Sequence, residues 1–147
     1  MTDLEAVERR ISRRSYLETP LEPFTSGALL TLVGEYNRRA GLRIELVREG
    51  AEAFRGFRRS YGMFSGVNSY FAMAGRRADL CLREKVGYWG EKLVLEAVKL
   101  GLGTCWVGGT FDRAACPCRL LPEEELVCVI TVGHVAGEPG GKERLIR

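Results

Sequence analysis

Two basic clusters stand near opposite ends of this chain: Arg13-Arg14-Ser15 at one end, Lys142 and Arg144 at the other. Arginine presents a planar fork to two oxygens of a phosphate or carboxylate, so these groups are competent to hold an anion. Between them lies Gly108-Gly109, where bare backbone can approach a ligand that a side chain would exclude. The other candidate chemistries are weaker. The chain has one histidine, His134, at the end of an apolar run, and no zinc-type cluster accompanies it. Cys116-Pro-Cys118 is a CxC rather than the CxxC of thiol oxidoreductases, so we take it as a structural pair. Gly101-x-Gly103 meets Trp106 where a dinucleotide fingerprint needs its third glycine, and it precedes a strand instead of following one. No Walker-type GK[ST] is present and no carboxylate pair stands out.

The background composition narrows what these groups can serve. The chain has 147 residues, 46% hydrophobic and 28% charged, enough for a folded core. Its 22 basic and 19 acidic residues leave a net charge of +3, which disfavours a nucleic-acid surface. Eighteen of the basic residues are Arg and four are Lys, a bias that favours a few small anionic sites. The five cysteines have no framework spacing, the first residues form no signal peptide, and no run reaches the ~18 apolar residues of a membrane helix. The expectation is a cytoplasmic protein with free thiols and no metal.

These residues must be positioned by an α+β fold. Thr2 and Glu5 form a capping-box pattern ahead of Leu4, Val7 and Ile11, which predicts a short first helix. Leu29, Val33, Tyr36 and Ala40 then predict a helix from Thr25 that stops at Gly41. Residues 43–47 and 67–74 read as strands, and 48–66 as a short helix or structured loop. The longest helix runs from Asp79 to Leu100, with a stripe at Leu82, Val86, Trp89, Leu93, Ala97 and Leu100. Gly87 and Gly90 within it suggest close approach of another helix or a ligand. Residues 104–107 form a strand, 120–125 a helical turn, and 126–135 a strand apolar enough to lie mid-sheet. Lys142 and Arg144 alternate along what reads as an extended tail, so both could point to one side.

Taken together, Arg13-Arg14-Ser15, the segment GYWGEKLVLEAVKLGLGTCWVGGTFD at 87–112, the strand ending Val132-Gly-His134, and Lys142-Glu-Arg144-Leu resemble the flavin-dependent nitroreductase family. The order of these motifs and the LGLGTCW segment are similar to its compact "putative TM nitroreductase" branch. The resemblance implies one nitroreductase-like domain over 1–147, with a central mixed sheet of about four to five strands covered by helices. It also implies FMN as cofactor. Arg13, Arg14 and Ser15 match the residues that hold the phosphate and ribityl chain, and Lys142 and Arg144 match a C-terminal basic pair on the same phosphate. Gly108 and Gly109 match the turn whose N–H faces flavin N5, and Trp106 falls in the same flavin-binding segment. The activity implied is transfer of hydride from NAD(P)H to the flavin and onward to a nitroaromatic or quinone-like acceptor. No residue of this chain is assigned as catalytic.

The sequence departs from the family pattern in places. The Ser-x-x-Asn-x-Gln-Pro-Trp segment that many members supply across a dimer is absent, as is their central insertion, and no tail wraps a partner. Leu17 stands where many members carry a basic residue near the flavin ring, so Arg58 and Arg59 are the candidate replacements at its pyrimidine edge. A homodimer centred on the 79–100 helix is expected. The rivals are a flavin-binding sensor or storage protein without turnover, and a small basic interaction domain with no cofactor.

Overall fold

The computed structural model describes residues 1–55 and 63–145, without the side chain of Lys142. Helix α1 (Asp3–Arg9) starts on the expected capping box: the Thr2 hydroxyl accepts from the Glu5 N–H, and the Glu5 carboxylate accepts from the Thr2 N–H. Helix α2 (Pro23–Ala40) has proline in its first turn and ends at Gly41 in the left-handed region, φ 69°. The remaining elements are β1 (Glu45–Val47), β2 (Tyr70–Arg76), α3 (Leu82–Lys99), β3 (Gly103–Val107), β4 (Glu124–Gly133) and the one-turn α4 (Gly141–Leu145). Short 3-10 turns lie at Ala51–Ala53 and Arg113–Ala115.

The sheet has the order β1-β2-β4-β3, and all three pairings are antiparallel. Parallel pairing enters through the N-terminal segment, with bridges Ser12–Thr104 and Ser15–Ser65. The apolar β4 is central as expected: Val129, Ile130, Thr131 and Val132 are buried. Strand alternation divides the core into two layers. Phe71, Met73, Ile130 and Val132 face α2 and α3, which contribute Leu29, Val33, Val86, Leu93, Val94 and Ala97. Tyr70, Ala72, Cys105, Val107 and Val129 face the opposite way, onto Tyr16, Phe54, Phe111 and Cys116 from loops. One face is therefore covered by helices and the other by connecting segments.

Three expectations are corrected. Helix α3 starts at Leu82 because the Asp79 carboxylate accepts from the Cys81 N–H and the Lys85 ammonium, shaping a turn ahead of the helix. The predicted helical turn at 120–125 is a tight turn after which β4 begins, since Glu124 and Glu125 pair with Arg76 and Gly75 of β2. The tail is not extended: residues 141–145 are helical. Among the described residues, no helix is long and apolar enough to cross a membrane.

The two glycines of α3 also divide. A Cβ on Gly90 would sit 2.3 Å from the Trp106 ring, whereas one on Gly87 meets nothing within 4 Å. The room at Gly90 is thus taken by this chain's own β3 side chain, not by a second helix. Gly90→Ala should destabilise the fold by about 1–3 kcal/mol through overpacking. Gly87→Ala, at an exposed helical position, should stabilise it by roughly 0.5–1 kcal/mol. Denaturant titrations of the two variants against wild type check both signs.

Candidate functional site

The N-terminal segment runs along the open edge of β3. The Arg13 N–H donates to the Thr104 carbonyl at 2.9 Å, Tyr16 N–H to Ser65 O at 2.9 Å, and Leu17 N–H to His134 O at 2.9 Å. Tyr16 fixes the bend: its hydroxyl donates to the Arg13 carbonyl at 2.8 Å and lies 2.6 Å from the Thr131 hydroxyl on β4. Burial pushes the Tyr16 phenol far above its usual range, so it stays neutral and available as donor.

This bend points its backbone N–H groups at one carboxylate. Glu143 of α4, 4% exposed, accepts from the N–H groups of Arg14, Ser15 (3.1 Å) and Gly140 (3.2 Å). The Arg13 guanidinium completes the set: its Nε donates to Glu143 Oε2 at 3.1 Å, while Nη2 reaches the carbonyls of Ala136 and Gly137 at 3.4 and 3.3 Å. Burial works against ionisation of Glu143, but the three backbone donors and the Arg13 charge outweigh it and hold the carboxyl below its ordinary value. The arrangement is an anion seat built from consecutive backbone amides and a guanidinium, with an internal carboxylate in it. A cleft of about 320 Å³ opens beside it, lined by Arg13, Ser15, Leu17, Ala136 and Gly140.

At the other end of β3, Gly108 and Gly109 are exposed, and a Cβ at either would meet nothing within 4 Å. The turn is held from beneath by Arg113. One guanidinium nitrogen donates to Gly108 O and Val127 O, both at 3.0 Å, and the other to Leu126 O at 2.6 Å. The guanidinium also lies 5.1 Å from the Phe111 ring centroid. Sequence reasoning misses Arg113; the only local signal is Asp112, whose carboxylate caps the 3-10 turn at the Ala114 N–H.

The sequence-predicted residues therefore separate. Arg13, Arg14 and Ser15 converge around Glu143, and Arg144 sits beside them, its Nε donating to Pro139 O at 3.0 Å from an exposed position. Because 141–145 is helical, positions 142 and 144 do not share a face, which corrects the side-by-side arrangement expected of an extended tail. Gly108 and Gly109 form the open turn. Trp106 turns toward α3, where its indole N–H donates to Glu91 at 3.0 Å. Arg58 and Arg59 lie outside the described residues. His134 pairs with Glu22 at 3.0 Å, an ordinary strand-end contact. No group of three His, Cys, Asp or Glu side chains suited to a metal occurs among the described residues.

The family model described as "Putative TM nitroreductase" matches residues 3–144. The chain belongs to the nitroreductase family. Solved members share the fold at low identity. A nitroreductase family protein from Clostridium difficile 630 superposes with a TM-score of 0.69 at 19% identity, covering 98% of this chain and 90% of that one. A "Putative NADH dehydrogenase/NAD(P)H nitroreductase" from Bacteroides thetaiotaomicron VPI-5482 gives 0.69 at 18% identity, covering 99% and 95%. A nitroreductase with bound FMN from Bacteroides fragilis NCTC 9343 gives 0.66 at 14% identity, covering 92% and 89%. No curated protein matches the sequence. The nitroreductase fold is thus realised here within 147 residues.

The Glu143 tie has a pH signature. Its folded pKa lies below the ordinary 4.5, so its stabilisation is fully present above that value and is lost as pH falls below it. Glu143→Gln should cost about 2–3 kcal/mol at neutral pH, since one buried guanidinium and several amides lose their anion. The difference between wild type and variant should shrink as the solution is acidified. Unfolding free energies measured from pH 7 down to pH 3 check this.

Proposed function

We propose that this nitroreductase-family protein is an FMN-dependent oxidoreductase that takes reducing equivalents from NAD(P)H and passes them to a nitroaromatic or quinone-like acceptor. The observation that supports this most is the pairing of an anion seat at one end of β3 with an open glycine turn at the other. Thr104, beside Arg13, and Gly108 are four residues apart, which at ~3.3 Å per strand residue is roughly 13 Å. A flat ring carried on a sugar-phosphate chain suits that span, with its phosphate toward Arg13, Arg14 and Ser15 and its ring over Gly108 and Gly109.

The residues present fit such a group. The Arg14 and Ser15 amides and the Arg13 guanidinium already hold a carboxylate, so their donor chemistry is that of an anion site. Arg144 brings further positive charge to the same corner, and Lys142 is retained as a candidate for the phosphate. Bound FMN would supply the redox chemistry. The chain's own part is to hold the phosphate, to offer the backbone N–H of the 108–109 turn to the ring edge, and to keep that turn rigid through Arg113. Arg58 and Arg59 are retained as candidates for the ring's pyrimidine edge, and Trp106 as a support on the far side of β3. The same reading makes the chain a cytoplasmic homodimer that binds neither nucleic acid nor membrane. Leu4 and Val7 of α1 and Tyr88 of the adjoining α3 are exposed apolar residues that a second copy would cover.

Arg13→Ala, which releases Glu143 and so unsettles the 14–15 amides, and Arg144→Ala, which removes an exposed cation, should each weaken FMN by roughly 1.5–3 kcal/mol, the range for interactions with charged groups. Riboflavin, lacking the phosphate, should bind wild type poorly and be nearly indifferent to both changes. Fluorescence titration of the flavin-free protein measures this, and unaltered FMN affinity in the double variant overturns the assignment. Anaerobic NADH or NADPH should bleach the flavin absorbance of the loaded protein. Retained FMN with no bleaching gives the non-turnover reading instead. Light scattering at micromolar concentration should return the mass of a dimer.

A further inference from the structure

The β3–β4 ladder ends at Val107 opposite Val129. On the other side of β4 the pairing skips Val127, since Met73 faces Cys128 and Ala74 faces Leu126. A bulge of this kind re-aims backbone groups, and Arg113 collects the carbonyls found there. Its guanidinium donates to Leu126 O at 2.6 Å, and to Val127 O and Gly108 O at 3.0 Å each. The base of the side chain is fixed as well. Asp112 N–H donates to Ala53 O at 2.8 Å, and the buried Phe111 stacks on Phe54 with ring centroids 6.0 Å apart. The guanidinium itself lies 5.1 Å from the Phe111 centroid. A planar fork suits three carbonyls that converge from two chain segments, whereas a lysine ammonium would bring the charge without the fork.

The Gly108 carbonyl belongs to the same peptide group as the Gly109 N–H. A carbonyl that accepts a bond from a cation draws electron density toward its oxygen, which leaves the N–H of that peptide a stronger donor. Among the described residues the Gly109 N–H has no acceptor, and the space around Gly109 is open. The turn therefore presents an unused donor to solvent, with a guanidinium bonded to the opposite end of its peptide. Resting on the FMN reading above, we propose that Arg113 is a positioning residue that tunes the flavin: by polarising the Gly108–Gly109 peptide, it makes the Gly109 N–H favour the reduced ring over the oxidised one.

A flavin ring gains negative charge on reduction, so the positive end of a dipole at its edge stabilises the reduced form more than the oxidised form. Two routes could carry the Arg113 charge to a ring lying on the turn. The direct field is weak, because the guanidinium is exposed and its charge is screened by water and salt. The route through the peptide is short, is fixed by the 3.0 Å bond to Gly108 O, and does not depend on ionic strength. The second route dominates. Arg113 then acts without touching the ring, and its effect is on the balance between two redox states rather than on binding as such.

The test compares the full-length wild type with Arg113→Lys, which keeps the cation, and Arg113→Met, which removes it. In the flavin-free chain labelled with nitrogen-15, the Gly109 amide nitrogen should move upfield in Arg113→Met, as an amide does when the carbonyl of its own peptide loses a hydrogen bond. It should move less in Arg113→Lys. In the FMN-loaded chain, redox titration against a reference dye should give a midpoint potential that falls in Arg113→Met and falls less in Arg113→Lys. The expected drop in Arg113→Met corresponds to about tenfold weaker binding of reduced relative to oxidised FMN, or ~30 mV for a two-electron couple. It should persist at high salt. A turn that was merely loosened would weaken both forms alike and leave the potential in place. A wild type that takes up no FMN overturns the cofactor reading and this proposal with it. FMN held at equal potentials in all variants, a drop that vanishes at high salt, or an unmoved Gly109 resonance overturns the proposal alone.

Discussion

A carboxylate buried away from water must find donors, and Glu143 finds them at the opposite end of the chain. The N–H groups of Arg14, Ser15 and Gly140 and the Arg13 guanidinium surround it. Breaking this set would leave a charge in an apolar setting, a cost larger than any surface ion pair could offset. The constraint reaches outward from there. Holding residues 13–15 at Glu143 lays the segment along β3, and the Tyr16 hydroxyl then stitches it to Thr131 on the central strand. The two chain ends thereby become one corner, and the candidate site is built on that corner.

Strand β3 connects this corner to the glycine turn, so its rigidity decides how well the two ends of the site are kept in register. Two side chains secure it from opposite directions. Trp106 fills the notch at Gly90 and bonds Glu91, locking the strand to α3. Arg113 takes the carbonyls of Gly108, Leu126 and Val127, locking the strand's far end to β4. The open face of Gly108-Gly109 is thus a fixed surface rather than a loose loop, despite having no side chains of its own.

What the sequence disclosed follows from how locally each feature is encoded. The capping box at Thr2, the left-handed stop at Gly41 and the apolar run of β4 are each set by neighbouring residues, and each lies where its pattern places it. The motifs of the 87–112 segment point to the family for the same reason. Glu143 is illegible because its partners are mainly backbone amides some 128 and 129 positions away, which carry no side-chain signature. In the sequence it is one acid between two cations, and that alternation suggests an extended tail. Arg113 is hidden likewise, since its acceptors are three carbonyls brought together only by the fold.

The occupied seat also bears on the arginine excess. Arg13 and Glu143 neutralise one another, so that pair alone offers an incoming phosphate little net attraction. Arg14 and Arg144 add two positive charges beside it. In the proposed reading the internal ion pair aligns the backbone, and the surrounding cations supply the field. The two contributions differ in their response to salt. The buried pair is indifferent to it, whereas attraction from the partly exposed cations weakens as ionic strength rises. A site built this way holds its shape before any ligand arrives, because its central anion belongs to the chain itself.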